Sequence, residues 1–230
     1  MAVTDLRQSV LSIINTVERK MGITPSASLN STTFTTVLLE LLNEVVADLT
    51  EDGEWKELYF STTVTAQSSV ADYAVDPSGL VHHIYEVSQS ARGVSPLTPV
   101  NLSEINLLNR TNSFGVSNQY SIVSANASGQ PVMRVFPTPG SSQNGDLFTV
   151  VGYLKPPLYT TSDAATVPEF PARLLWMGLH AMALLEENGG EPSREYLMAQ
   201  RMYEKAKRQE LNRFTTDQGP TVQFIPRNRR

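Results

Sequence analysis

Apolar residues along this chain recur every three or four positions near both ends and every second position in the middle. Residues 4–21 carry Leu6, Val10, Ile13, Ile14, Val17 and Met21, a stripe that predicts an amphipathic helix. Gly22 and then Pro25 give the stop order expected after it. Asn30 and Ser31, both N-cap types, precede a longer stripe: Phe34, Val37, Leu38, Leu41, Leu42, Val45, Val46 and Leu49. Glu40, Glu44 and Asp48 take the opposite face, as charges do on a helix that meets water. Asp52-Gly53 closes this second helix.

From Trp55 the period changes to two. Leu58, Phe60, Thr62 and Val64 alternate with polar neighbours, and β-branched residues dominate. Residues 70–75, 81–87, 120–123, 132–136 and 147–153 read as further short strands. Asp76-Pro77-Ser78-Gly79, Ser128-Gly129 and Pro139-Gly140 supply turn chemistry between them. Leu102 to Leu108, capped by Asn101, reads as one short helix inside a compact antiparallel sheet or sandwich.

Helical spacing returns at Pro171, a residue suited to a first turn because its missing N–H is no loss there. Leu174, Leu175, Gly178, Ala181, Met182 and Leu185 form the stripe, and Gly189-Gly190 stops it. Pro192 opens a last helix running to about Arg213, with Tyr196, Ala199, Met202, Tyr203 and Ala206 as its narrow apolar face. Beyond Gly219-Pro220 the pattern dissolves into an extended arm with Val222, Phe224 and Ile225, then Arg227, Arg229 and Arg230. Such an arm is too short to bury anything by itself.

This order predicts an α+β fold. The N- and C-terminal helix pairs form one helical bundle, with an antiparallel β-domain inserted between them and an extended C-terminal arm. The expected boundaries are 1–54 and 167–214 for the helices, 55–166 for the β-domain and 215–230 for the arm. Leu38, Leu41, Leu42 and Val45 are expected to meet Leu174, Leu175 and Met182 in the bundle core.

Composition narrows the function classes. The 230 residues are 40% hydrophobic, ordinary for a chain with a real core. Cysteine is absent, which excludes disulfides, thiolate metal sites and a cysteine nucleophile. No apolar run approaches the ~20 residues of a membrane span, and no signal peptide is expected at the N-terminus. Residues 201–230 hold eight of the 18 bases and three of the 23 acids, so residues 1–200 carry twenty acids against ten bases. An acidic body with a basic end is a polarised layout.

Candidate chemistry is sparse. His82 and His83 point to opposite faces of a strand, and His180 has no ligand-type residue four positions away, so no metal site is expected. No nucleophile elbow, phosphate-cradling loop or calcium loop occurs. The carboxylates Glu40, Glu44 and Asp48 read as a solvated face. Neither an enzyme nor a cofactor is expected. The acidic body argues against sequence-specific DNA binding.

The order of signals carries a resemblance. A helix ends in Gly22-Ile23-Thr24-Pro25, and a second ends in Gly53-Glu54-Trp55 and runs straight into strands. Asp72-Tyr73-Ala74-Val75-Asp76-Pro77 is similar to the "Y-x-L-P" strand end of phage neck proteins. Val167-Pro168-Glu169-Phe170 then leads into two helices and a loose tail. Over about residues 4–214 the chain resembles the head-to-tail adaptors of short-tailed bacteriophages, the tail tubular protein A-like family. The resemblance implies a non-enzymatic virion protein that forms a ring, commonly of twelve copies, docked below the portal protein and above the tail nozzle protein. It implies assembly in the host cytoplasm, and DNA that crosses the channel at ejection without specific binding. It also implies portal binding by the arm, through Val222, Phe224, Ile225, Arg227, Arg229 and Arg230. The β-block, at roughly 110 residues and rich in Ser, Thr and Asn, departs from the family pattern. Another phage neck or baseplate component is the first alternative, and a carbohydrate-binding or degrading tail module the second.

Overall fold

The computed structural model describes residues 8–75, 80–93 and 95–217, the last five as backbone alone. Its contacts divide the chain into two units, Met1–Glu57 with Pro156–Arg230, and Leu58–Lys155.

In the first unit, α1 (Val10–Lys20) begins at Ser9, whose hydroxyl accepts from the Ser12 amide at 3.3 Å. This start lies six residues beyond the one the stripe predicts, and Leu6 falls outside the described residues. The cause is tertiary. The Val10 and Leu11 amides donate to the carbonyls of Thr166 and Ala164, at 2.9 and 3.2 Å, which satisfies donors every helix start leaves open. Gly22 leaves the helix at φ 75°, where any Cβ would be strained.

α2 (Thr33–Asp52) is capped by Thr32, not by Asn30 or Ser31; the Thr32 Oγ1 accepts from the Thr35 amide at 3.0 Å. Ser31 instead closes a turn with Ser28, its hydroxyl donating to the Ser28 carbonyl at 2.7 Å. Between the two helices, Glu18 is buried and serves as a polar staple. Its carboxylate accepts from the Ser26 amide and hydroxyl, each at 2.7 Å, and from the Thr35 hydroxyl at 3.1 Å. Hydrogen bonds of this kind are what make a buried carboxylate tolerable.

α4 (Ala172–Glu187) packs against α1, α2 and α5. It buries Leu174, Leu175, Met177, Leu179 and Leu184, residues on every side, as a central helix must. Of the expected core, Leu38, Leu42, Val45, Leu174 and Leu175 are buried, whereas Leu41 and Met182 are half-buried. Residues 156–171 belong to this helical unit as well, although the sequence pattern assigns residues up to 166 to the β-domain. Their attachment combines buried Tyr159 and Phe170 with polar contacts, at a spacing that hydrophobic periodicity does not register.

α5 (Arg194–Asp217) starts at Ser193, whose hydroxyl accepts from the Tyr196 amide at 3.1 Å. It runs past Arg213, so Thr215–Asp217 are helical and not part of an arm. The expected arm residues Val222, Phe224, Ile225, Arg227, Arg229 and Arg230 lie outside the described residues.

The second unit holds two sheets. β1 (Tyr59–Thr65) and β3 (Val81–Gln89) flank β7 (Leu147–Leu154), all antiparallel, with Tyr59 opposite Tyr153 and Val64 opposite Phe148. The other sheet runs in the order β2 (Asp72–Ala74), β6 (Pro131–Phe136), β5 (Gln119–Ala125) and β4 (Thr98–Pro99). The expectation of a purely antiparallel block is corrected at its edge, where β4 pairs β5 in parallel. Two residues bounded by Pro99 are too short for periodicity to betray a strand. α3 (Leu102–Asn109), capped by the Asn101 side chain, packs on β5 and β6. Phe60, Tyr73, Val87, Tyr120, Met133, Val135, Phe148 and Val150 form the core. Buried Gln89 ties its ends together, donating to Asp146 Oδ2 at 3.1 Å and accepting from the Ser117 amide at 2.8 Å.

Candidate functional site

Close helix packing in the first unit decides which face of α5 reaches solvent. Gly178 sits where α2 and α5 converge on α4. A Cβ built there would lie 2.8 Å from Val45 Cγ1 and 3.0 Å from the Tyr203 ring. The missing side chain lets Tyr203 and Ala206 bury against α4. Burial, with Glu204, Asp48 and Asp52 nearby, pushes the Tyr203 phenol well above its ordinary range. Its hydroxyl finds no hydrogen-bond partner among the described residues.

With Tyr203 turned in, the helical period turns Met198 and Met202 out; they are 57% and 58% exposed, and Leu197 is 47% exposed. Met202 therefore does not share the buried face with Tyr203, as a single apolar stripe on α5 implies. Neighbouring residues of a helix stand about 100° apart, so adjacent Met202 and Tyr203 serve different faces.

The exposed methionines border a groove of about 540 Å³ between the C-terminal turn of α1, the outer side of α4 and the first half of α5. Its apolar wall is Met21, Trp176, Met177, Leu184, Met198 and Met202. The Lys20 ammonium stands 4.5 Å from the centre of the Trp176 ring, a cation–π contact that orients the indole. His180 is half-buried in the wall. Burial first, and Lys20 second, push its imidazole below the ordinary value, against the pull of Glu195. Glu187 and Glu195 give the groove an acidic end, where the α4–α5 turn adds exposed Glu186 and Glu191. Unbranched thioethers in an open groove adapt to an incoming apolar surface more readily than branched side chains do.

α5 is also fixed at its far end. Lys207 donates to Asp52 at 2.7 Å and pairs with Glu204 at 3.3 Å. Burial alone would lower the Lys207 ammonium, but hydrogen bonds and charge from Asp52 and Glu204 together raise it. Glu40, Glu44 and Asp48 are all exposed on α2.

The second unit has a cavity of about 510 Å³ between β3 and β5, lined in part by His82, His83 and Tyr120. The register shifts between Val81 and His83, and both histidines are exposed. Among the described residues no carboxylate lines that cavity, and burial, followed by the charge of Glu86, raises the Tyr120 phenol. Of Tyr73, Tyr85 and Tyr120, only Tyr85 reaches solvent, so these three do not make a sugar-stacking platform. Among the described residues no three His, Asp or Glu side chains come together to hold a metal, and no helix is long and apolar enough to cross a membrane.

Thus the described surface offers grooves and charged faces suited to contact. The groove on α1, α4 and α5 escaped the sequence reading. The one signal for it was the pair Met198 and Met202 at helical spacing ahead of Tyr203.

A family model described as the SU10 adaptor protein matches residues 1–224. No curated protein matches the chain.

Proposed function

The chain belongs to the SU10 adaptor protein family, structural proteins of the phage virion that work with other head and tail proteins, and on that premise we propose that it forms a ring between portal and tail nozzle. The observation that carries this reading is the extent of the match, which covers both units and reaches into the terminal segment. The copy number expected from related rings is twelve. Assembly takes place in the host cytoplasm, and the DNA passes through the ring when it leaves the head. The protein carries out no reaction of its own.

Two physical features support the reading. Residues 1–200 hold twice as many acids as bases, and exposed Glu40, Glu44 and Asp48 on α2 contribute to an acid-rich surface. An acid-rich channel wall repels phosphates, so DNA slides past it without adhering. The terminal segment with Val222, Phe224, Ile225, Arg227, Arg229 and Arg230 combines apolar anchors with positive charge, a pairing that suits docking on an acidic partner such as portal.

The test is to mix the purified chain with its portal protein and to follow mass by light scattering and shape by electron microscopy. The chain alone is expected to be monomeric or weakly associated, and rings are expected on portal. Absence of any complex with portal at micromolar concentrations would remove the reading.

A further inference from the structure

The outer face of α5 is complementary to itself when it is turned end for end. We propose that in the free protein it pairs with the α5 of a second copy of this chain, antiparallel and about a two-fold axis.

Glu195, Met198, Met202, Lys205 and Gln209 follow one another along α5 at steps of three and four. Residues so spaced share one side of a helix, and all five are exposed. The line is acidic at one end, apolar in the middle and basic towards the other. Neither Glu195 nor Lys205 enters a salt bridge among the described residues. They stand about 15 Å apart along the helix, so they cannot meet within one copy. The surface around them has the same polarity. Glu187 and Glu191 lie exposed near the acidic end, and Arg201 and Arg208 flank Lys205.

An antiparallel copy brings the opposite charges together. With the axis passing level with Gln200, each position faces the one equally far on the other side. Glu195 then meets the partner's Lys205, Met198 meets the partner's Met202, and each contact occurs twice, as an isologous pair requires. The methionines cover apolar surface that the single subunit leaves in water, where Met198 and Met202 are each more than half exposed. A parallel pair would set Glu195 against Glu195 and Lys205 against Lys205, which like-charge repulsion disfavours. One helix face per copy is a small contact, so the pair is weak and reversible. A two-fold contact closes on itself, whereas a ring is built from head-to-tail contacts, so the pair does not depend on the ring.

Sedimentation equilibrium of the full chain, from low to high micromolar concentration and without portal, should show a reversible monomer–dimer equilibrium. Glu195→Lys alone and Lys205→Glu alone each place like charges in both contacts and should weaken pairing tenfold or more. Mixed in equal amounts, the two variants should pair with each other as the natural chain does, because every new charge then faces an opposite one. Melting curves check that both variants fold. Because the chain has no cysteine, a single spin label on Gln209→Cys reads the direction independently of the charge variants. Labels about 30 Å apart are expected for the antiparallel pair, and about 10 Å for a parallel one. A chain that stays monomeric, folded variants that pair unchanged, a mixture that fails to recover, or the short label distance would each overturn the pair. All four leave the ring to its own test with portal.

Discussion

The Asn43 side chain pairs with the backbone of Tyr159 as a strand would: its Nδ2 donates to the Tyr159 carbonyl at 2.9 Å, and its Oδ1 accepts from the Tyr159 amide at 2.8 Å. This residue of α2 helps to hold the 156–171 segment on the helical unit. Tyr159 is buried beside it, and burial together with Glu169 and Asp163 raises its phenol far above the ordinary range. Asn43→Ala strands both backbone groups and should cost about 2–3 kcal/mol in urea unfolding. Asn43→Asp keeps the acceptor and loses the donor, so it should fall between. Equal stability of all three proteins would refute the pairing.

Gly178→Ala tests the close approach of three helices. In an exposed helix the change would stabilise by about 1 kcal/mol through propensity alone. Here the new methyl meets Val45 and Tyr203 inside contact distance, and the net effect should be a loss of about 1–2 kcal/mol. The sign of the shift in Tm decides the matter.

Leucines of the helical unit should separate by burial. Leu175 is fully buried, so Leu175→Ala should cost about 3–4 kcal/mol. Leu41 is half-buried, and Leu41→Ala should cost only about 1–2 kcal/mol. Equal losses would mean that Leu41 is covered as fully as Leu175.

Stability should also respond to pH through His180, whose imidazole is depressed by burial and by Lys20, with Glu195 opposing and Glu187 at the same groove. The unfolded chain then binds a proton that the folded chain resists. The contribution of His180 is full above its ordinary value of 6.5 and is lost as pH falls through and below it. His180→Gln should flatten the wild-type loss of Tm between pH 7 and pH 5. Parallel curves for the two proteins would exclude that role.

The helices were legible wherever burial alone fixes them. Leu38, Leu42 and Val45, or Leu174 and Leu175, sit on stripes whose period is the helix period, and all are buried. Boundaries were less legible because side chains set them. Thr32 caps α2 because Ser31 is occupied by Ser28, a choice invisible to periodicity. The reach of the helical unit to residue 156 is held by Asn43, by the amides of Val10 and Leu11 and by buried Tyr159 and Phe170, contacts that join positions more than a hundred residues apart. The groove was hidden for another reason. Met202 and Tyr203 are both apolar on paper, and the room that Gly178 leaves for the Tyr203 ring is a tertiary feature that periodicity along α5 does not show.

Trp55 and Phe170 meet edge to face, with ring centres 5.4 Å apart, and the Trp55 indole donates to the Leu49 carbonyl at 2.5 Å. One ring lies just before the strands in the chain and the other just before α4, so the contact joins the two stretches of the helical unit that flank the inserted sequence, Leu58–Lys155. Such a closed base makes the insertion interchangeable. A different insertion can replace Leu58–Lys155 while the same helical frame stays closed, and an engineer can graft a foreign loop there. The long Ser/Thr-rich block of this chain is then cargo carried on a closed socket, free to change without unsettling the helical core.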